Sequence, residues 1–225
     1  MVFLSKEKLY NEIHNLKKSM GFDPCDYNID LVSYCKNKIH IEELEFTTKK
    51  LRGMAIIGDD KNKDIILLNK NRTKSEQCFD FGHEFVHLVY HRGIKQKTFN
   101  CLDDPTIKQD SYLEWQANEG AAEFSVPYRT LLPKIKDVYD KLDSWASIQF
   151  FKSELAQTYN VSLGVIHYRL ESLKYEINQY INGISINDIQ ILSHTQQTKK
   201  RISISSINDK EIQLYLRESY SQHNY

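Results

Sequence analysis

Apolar residues recur at Leu4, Leu9, Ile13, Leu16 and Met20. Steps of three to five predict a helix over residues 4–20, with Gly21 as its stop. Three short β-rich runs follow: KIHIEELEF (38–46), LRGMAIIGD (51–59) and KDIILLN (63–69). The polar DDKNK between the last two predicts a hairpin, so a small antiparallel sheet is expected. Helical periodicity returns from Lys74 to about His91, with Ser75 as its N-cap. Residues 92–111 have no clear period, and a connection of that length inside a compact domain is often functional. Residues 112–125 predict a second helix that stops near Pro127. From Trp145, SWASIQFFKSELAQTY and SLGVIHYRLESLKYEI predict two helices around a short break. Residues 182–225 are polar and β-leaning, with QQTKKR as a basic turn. No internal repeat is visible.

The 225 residues suit one large domain, or one domain with a small appendage. Lysine and arginine total 30, as do aspartate and glutamate. That balance gives no sequence-wide affinity for nucleic acid or membrane. Cys25, Cys35, Cys78 and Cys101 are scattered, which reads as reduced thiols of a cytoplasmic protein. The opening MVFLSKEKLY reaches charge too soon for a signal peptide. No run approaches the ~18 apolar residues of a membrane span.

The segment CFDFGHEFVHLVYH (78–91) sets polar groups inside an apolar helix. Positions i and i+4 lie on one face, about 6 Å apart along the axis, so His83 and His87 point the same way. Two such imidazoles can bind one zinc ion. Glu84 sits ~100° around the helix from His83, placed to take a proton from zinc-activated water. Alone, an H-E-x-x-H match also fits structural histidines on an amphipathic helix.

A catalytic zinc needs a third protein ligand. His91 lies ~12 Å along the axis from His83 and is too far to share its ion. It reads as a helix-end or supporting group. Tyr90 and Gly93 occupy the positions where metzincins place Gly and His, which excludes that class. The second helix offers Glu114, Glu119 and Glu123. Glu114, Asn118 and Ala121 share a face, and Ala117, Ala121 and Ala122 permit close packing. Glu114, with Asn118 beside it, is the best third ligand by this spacing. A solvated face of three glutamates fits it about equally well.

FGHEFVHLVYH followed by EWQANEGAAEFSVP resembles the ImmA/IrrE family of zinc metallopeptidases. That family joins H-E-x-x-H to a helix of the form E-x-x-A-N-x-x-A-A with a Pro after it. Here these positions are Glu114, Ala117, Asn118, Ala121, Ala122 and Pro127. The resemblance covers roughly residues 35–130 and more loosely reaches 175. It implies Zn²⁺ held by His83, His87 and Glu114, with Glu84 as catalytic base. It also implies a protein substrate, an XRE-type helix-turn-helix repressor cut to relieve repression in a prophage or other mobile element. Gly120 departs from the Phe of many members. His91, Tyr90 and Tyr112 are candidates to stabilise the developing oxyanion. The 92–111 connection is expected to border the substrate cleft.

ELAQTYNVSLGVIHYRLESL has helix-turn-helix spacing, with Ser162 as N-cap and Val161, Val165, Leu170 and Leu173 as a buried set. The exposed face of its second helix is expected to carry His167, Arg169 and Lys174 against Glu171. That is a thin basis for reading DNA, so docking or repressor binding is favoured over direct nucleic-acid contact. Trp115, Trp145, Phe150 and Phe151 are expected in the core. The expected fold is α+β: a small antiparallel sheet, a zincin-type H-E-x-x-H helix, a second ligand-bearing helix and a C-terminal helix-turn-helix-like unit. The expected division is 1–135, 136–181 and a tail of 182–225. The competing function is a zinc-containing regulator that binds a repressor or DNA without proteolysis.

Overall fold

A computed structural model describes residues 4–48, 50–60, 63–102 and 110–222. Two compact units emerge: Met1–Leu4 with Glu12–Ser125, and Ser5–Asn11 with Val126–Tyr225.

The first helix, α1 (Lys6–Ser19), ends before Gly21, whose φ of +87° suits a residue without a side chain. A short helix α2 (Leu31–Cys35) is capped by Asp30, whose side chain accepts from Ser33 N. Four strands form one sheet: β1 (His40–Leu44), β2 (Leu51–Ile56), β3 (Ile65–Asn69) and β4 (Thr98–Leu102), in the order β1-β3-β2-β4. The expected hairpin is present, with β2 and β3 antiparallel. The sheet is nevertheless mixed and not wholly antiparallel, because β1 pairs parallel with β3. Strand β3 folds back between β2 and β1, so the first strand meets the third and never touches the second.

Strand β4 lies inside the stretch that had no clear period. It pairs antiparallel with β2 and buries only Phe99 and Cys101, too short a repeat to stand out. Residues 103–109 of that connection fall outside the described residues. The alternation of β2, β3 and β4 gives one buried face made of Gly53, Ala55, Ile66, Leu68, Phe99 and Cys101.

That face packs against α3 (Lys74–Tyr90). Its N-cap is Thr73 and not Ser75. Thr73 and Glu76 form a reciprocal capping box, satisfying two backbone N–H groups that a lone Ser75 would leave open. Helix α4 (Ser111–Ser125) packs closely on α3. Ala117, Ala121 and Ala122 are fully buried. A Cβ at Gly82 would meet Ala121 at 3.5 Å, and one at Gly120 would stand 3.0 Å from Val86 Cγ2 and 3.4 Å from Ile13 Cδ1. The bare Gly120 thus gives room to Val86 and Ile13. Glu119 and Glu123 are buried as well, so α4 does not present a solvated acidic face.

The second unit is helical: α5 (Tyr128–Val138), α6 (Trp145–Tyr159), α7 (Leu163–Ser172), α8 (Lys174–Ile181), α9 (His194–Lys199) and α10 (Ile207–Gln222). The long helix expected after Ser162 is interrupted at Leu173, between α7 and α8. Ser162 does cap α7, accepting from Val165 N, and Val161, Val165, Leu170 and Leu173 are buried. Residues 182–222 carry α9 and α10, not strands. A Ser193–Gln196 capping box starts α9, while the β-branched residues that suggested strand, such as Ile189, Ile191 and Ile207, are buried anchors.

Three further expectations are corrected. Arg169 is fully buried, donating from Nε to the Val126 carbonyl and from Nη1 to the Tyr10 hydroxyl, and it is absent from any exposed face. Trp145 and Phe150 are 40% and 66% exposed and lie outside the core, while Phe151 is within it. Trp115 is half-buried. Among the described residues, no helix is long and apolar enough to cross a membrane.

Candidate metal centre

His83, Glu84 and His87 are all buried on α3, and Glu114 stands in the first turn of α4. One helical turn brings the imidazole Nε2 atoms of His83 and His87 to 3.1 Å. From the facing helix, Glu114 sets Oε2 3.3 Å from His83 Nε2 and Oε1 3.5 Å from His87 Nε2. Ligand atoms ~2.0–2.1 Å from a tetrahedral zinc stand ~3.3–3.4 Å from one another. The three observed separations bracket that edge length.

The opposite ring nitrogens explain why Nε2 faces inward. His83 Nδ1 lies 3.0 Å from Asn118 Oδ1, and His87 Nδ1 lies 2.8 Å from His91 Nδ1. With Nδ1 donating in each case, both Nε2 lone pairs and a carboxylate converge on one point. Such a set of acceptors suits a cation. Burial, then the neighbouring His83 and His91, hold the His87 imidazole well below the usual histidine range, which keeps it neutral. Phe99 stacks on the His87 ring at 4.2 Å and closes the β4 side.

Glu84 points toward the sheet. A Cβ added at Gly53 would lie 3.2 Å from Glu84 Oε1 and 3.3 Å from its Cγ, so the strand accommodates this side chain only because Gly53 lacks one. Both Glu84 oxygens are sealed from solvent, with the Cys101 backbone N–H a polar group that favours the carboxylate. Burial, then the charges of Glu114 and Asp80, push its carboxyl well above the usual range, with Arg52 opposing. Asp80, one turn earlier and fully buried, makes an ion pair with Arg72.

A second set of donors, His83, Glu84 and Cys101, also falls within 4.8 Å. It is the poorer ligand set. It would draw Glu84 away from the role of base and offers one imidazole where the first set offers two.

His91 lies against His87 and not beside the convergence point, and its Nε2 is 2.8 Å from Gln116 Oε1. Tyr112 bonds Gln116 and the Leu4 backbone. Tyr90 is at the end of α3, where burial, then the Glu12 carboxylate, raise its phenol. Spacing did not single out Gln116, Gly53 or Asp80. Gln116 follows Tyr112 by four on α4, Asp80 precedes Glu84 by four on α3, and Gly53 interrupts an apolar strand. Each was a readable signal.

A family model described as the IrrE N-terminal-like domain, Peptidase M78, matches residues 36–171, more than half of the chain. The chain belongs to the M78 peptidase family. The M78 description, that of a peptidase family, fits a cluster of His and Glu donors of this kind. Two Bacillus subtilis (strain 168) proteins are similar to this M78 chain. The uncharacterized protein YqaB is 39% identical over 62 residues, 28% of this chain and 32% of YqaB. The phage-like element PBSX protein XkdA is 29% identical over 126 residues, 53% of this chain and 54% of XkdA. The M78 chain thus spans about a third and about half of these two relatives.

Proposed function

We propose that the protein is a cytoplasmic zinc-dependent endopeptidase that cleaves an XRE-type helix-turn-helix repressor, with its peptidase domain over residues 1–135. The observation that carries this reading is the convergence of His83 Nε2, His87 Nε2 and a Glu114 carboxylate oxygen at 3.1–3.5 Å, beside a buried Glu84. His83, His87 and Glu114 would hold the zinc. When bound, the ion supplies a Lewis acid that polarises the scissile carbonyl and acidifies water. Glu84 takes the proton of the attacking water and passes it to the leaving amine nitrogen. Burial and the nearby Glu114 and Asp80 keep the carboxyl basic enough for that exchange, and Gly53 leaves space for the side chain. Asn118 and His91 orient the two imidazoles from behind.

The choice of repressor draws on the ImmA/IrrE resemblance. The name of XkdA, a phage-like element protein, supports a setting in mobile DNA. The burial of Arg169 removes one of the few cations available to a DNA-reading face, which favours a protein substrate.

The decisive experiment pairs purified protein with an XRE-type repressor encoded beside it. Wild type should cut the repressor at one site in the presence of zinc. Glu84→Gln should bind zinc equally well and cut at least about 1,000-fold more slowly. Unchanged cleavage by this variant would refute the reading.

A further inference from the structure

Behind the candidate ligands runs a chain of hydrogen bonds that begins at groups unable to reverse their polarity. The backbone N–H of Leu4 donates to Tyr112 Oη at 2.7 Å, and Tyr112 O–H donates to the Leu4 carbonyl at 2.8 Å. Tyr112 Oη therefore meets Gln116 as an acceptor, and Gln116 Nε2 donates to it at 2.8 Å. That fixes which way the Gln116 amide points. Its Oε1 faces His91 Nε2 at 2.8 Å, so Nε2 must carry the His91 proton. A neutral His91 is then left with a bare Nδ1, which lies 2.8 Å from His87 Nδ1. His87 must donate there, and its Nε2 lone pair faces His83 and Glu114.

We propose that Tyr112, Gln116 and His91 are positioning residues that fix the tautomer of His87, their polarity being dictated by the Leu4 backbone. This rests on the reading of His83, His87 and Glu114 as the zinc site. Reversing any one link would put a proton on His87 Nε2, in the 3.1 Å gap to His83 Nε2, and withdraw the lone pair that a metal needs. Gln116 and His91 are each 2% exposed, so water is poorly placed to take over a lost partner. The other imidazole is held differently, its Nδ1 standing 3.0 Å from Asn118 Oδ1. The direction of a hydrogen-bonded chain is set by whichever end cannot reverse. This one runs from an N–H and a carbonyl of fixed sense to a ring nitrogen at the site.

The test reads zinc affinity by chelator competition, alongside the unfolding temperature of the metal-free form. His91→Leu should keep the fold and lose about 10- to 100-fold in zinc affinity, the usual effect of removing a partner behind a ligand. His91→Asn, which retains an acceptor facing His87, should stay within about threefold of wild type. Tyr112→Phe, remote from the metal, should weaken zinc several-fold. Long-range proton–nitrogen NMR of zinc-loaded wild type needs no variant and covers the case of a substitution that fails to fold. It should show His87 protonated at Nδ1 and His91 at Nε2. The reverse assignment, or folded His91→Leu and Tyr112→Phe with wild-type affinity, overturns the proposal alone. Wild type that binds no zinc overturns the underlying reading and this proposal with it.

Discussion

Gly53 on β2 and Glu84 on α3 occupy one space: an added Cβ on the strand would stand 3.2 Å from the Glu84 carboxylate and 3.3 Å from the Leu67 carbonyl. Gly53→Ala should therefore displace Glu84 by a few tenths of an ångström and leave the imidazoles in place. Small misplacements at a reacting centre are expensive, up to ~100-fold for about 1 Å. The expected outcome is a drop in kcat of about tenfold with zinc content unchanged, measured by peptide cleavage beside metal analysis. Full activity in this variant would mean that Glu84 has another place to go.

Glu114 supplies the only donor of the cluster that comes from α4. Free zinc at ~100 times Kd should stabilise the wild type by about 2.7 kcal/mol, and a chelator should remove that gain. Glu114→Ala should lose most of the difference between the two melting curves. An equal response to chelator in both proteins would show that the zinc sits elsewhere.

The second unit holds a buried ion pair, Lys6 Nζ to Glu176 Oε1 at 3.0 Å, with the two side chains 2% and 0% exposed. Removing one member leaves an uncompensated charge, so Lys6→Met should destabilise by ~3–5 kcal/mol in urea titrations. Replacing both members with apolar residues should recover much of that loss.

The same pair gives a dependence on pH. Burial outweighs the pull of Lys6 and raises the Glu176 carboxyl above its ordinary 4.5. The folded chain then binds this proton more tightly than the unfolded chain. Its contribution to stability is present below about pH 4.5 and is lost as pH rises through the folded pKa. Lys6→Met raises that pKa further, so its urea midpoint should fall more steeply than that of wild type between pH 4.5 and neutrality. Parallel profiles would contradict the assignment.

Thiol chemistry should sort by burial. Burial, opposed by Lys38, pushes Cys35 up to about 11, and Cys101 lies well above its usual range. Half-exposed Cys25 should be alkylated first under native conditions, with Cys35 and Cys101 protected until unfolding. Mass spectrometry of partially labelled protein would expose any other order.

Local signals were the readable ones. The β2–β3 hairpin followed from alternation around a polar turn, and α3 and α4 from period. Even the misplaced cap had its signature, since Thr73 and Glu76 form a T-x-x-E box. Pairings decided by distant packing were not readable. Nothing in residues 40–44 says that β1 will lie parallel to β3, and β4 buries only two side chains. The burial of Arg169 depends on Tyr10 and Val126, far away in sequence. At the site, helical spacing united His83 with His87, but the approach of α4 that selects Glu114 over Glu119 and Glu123 is a tertiary event.

All three converging donors ride on α3 and α4, joined through Gly82, Ala121 and Gly120, while the sheet contributes chiefly the hollow at Gly53. Connectors between strands can therefore be lengthened, shortened or exchanged while the donor atoms keep their spacing. Surfaces fed by those connectors are free to change without disturbing the spacing of His83, His87 and Glu114.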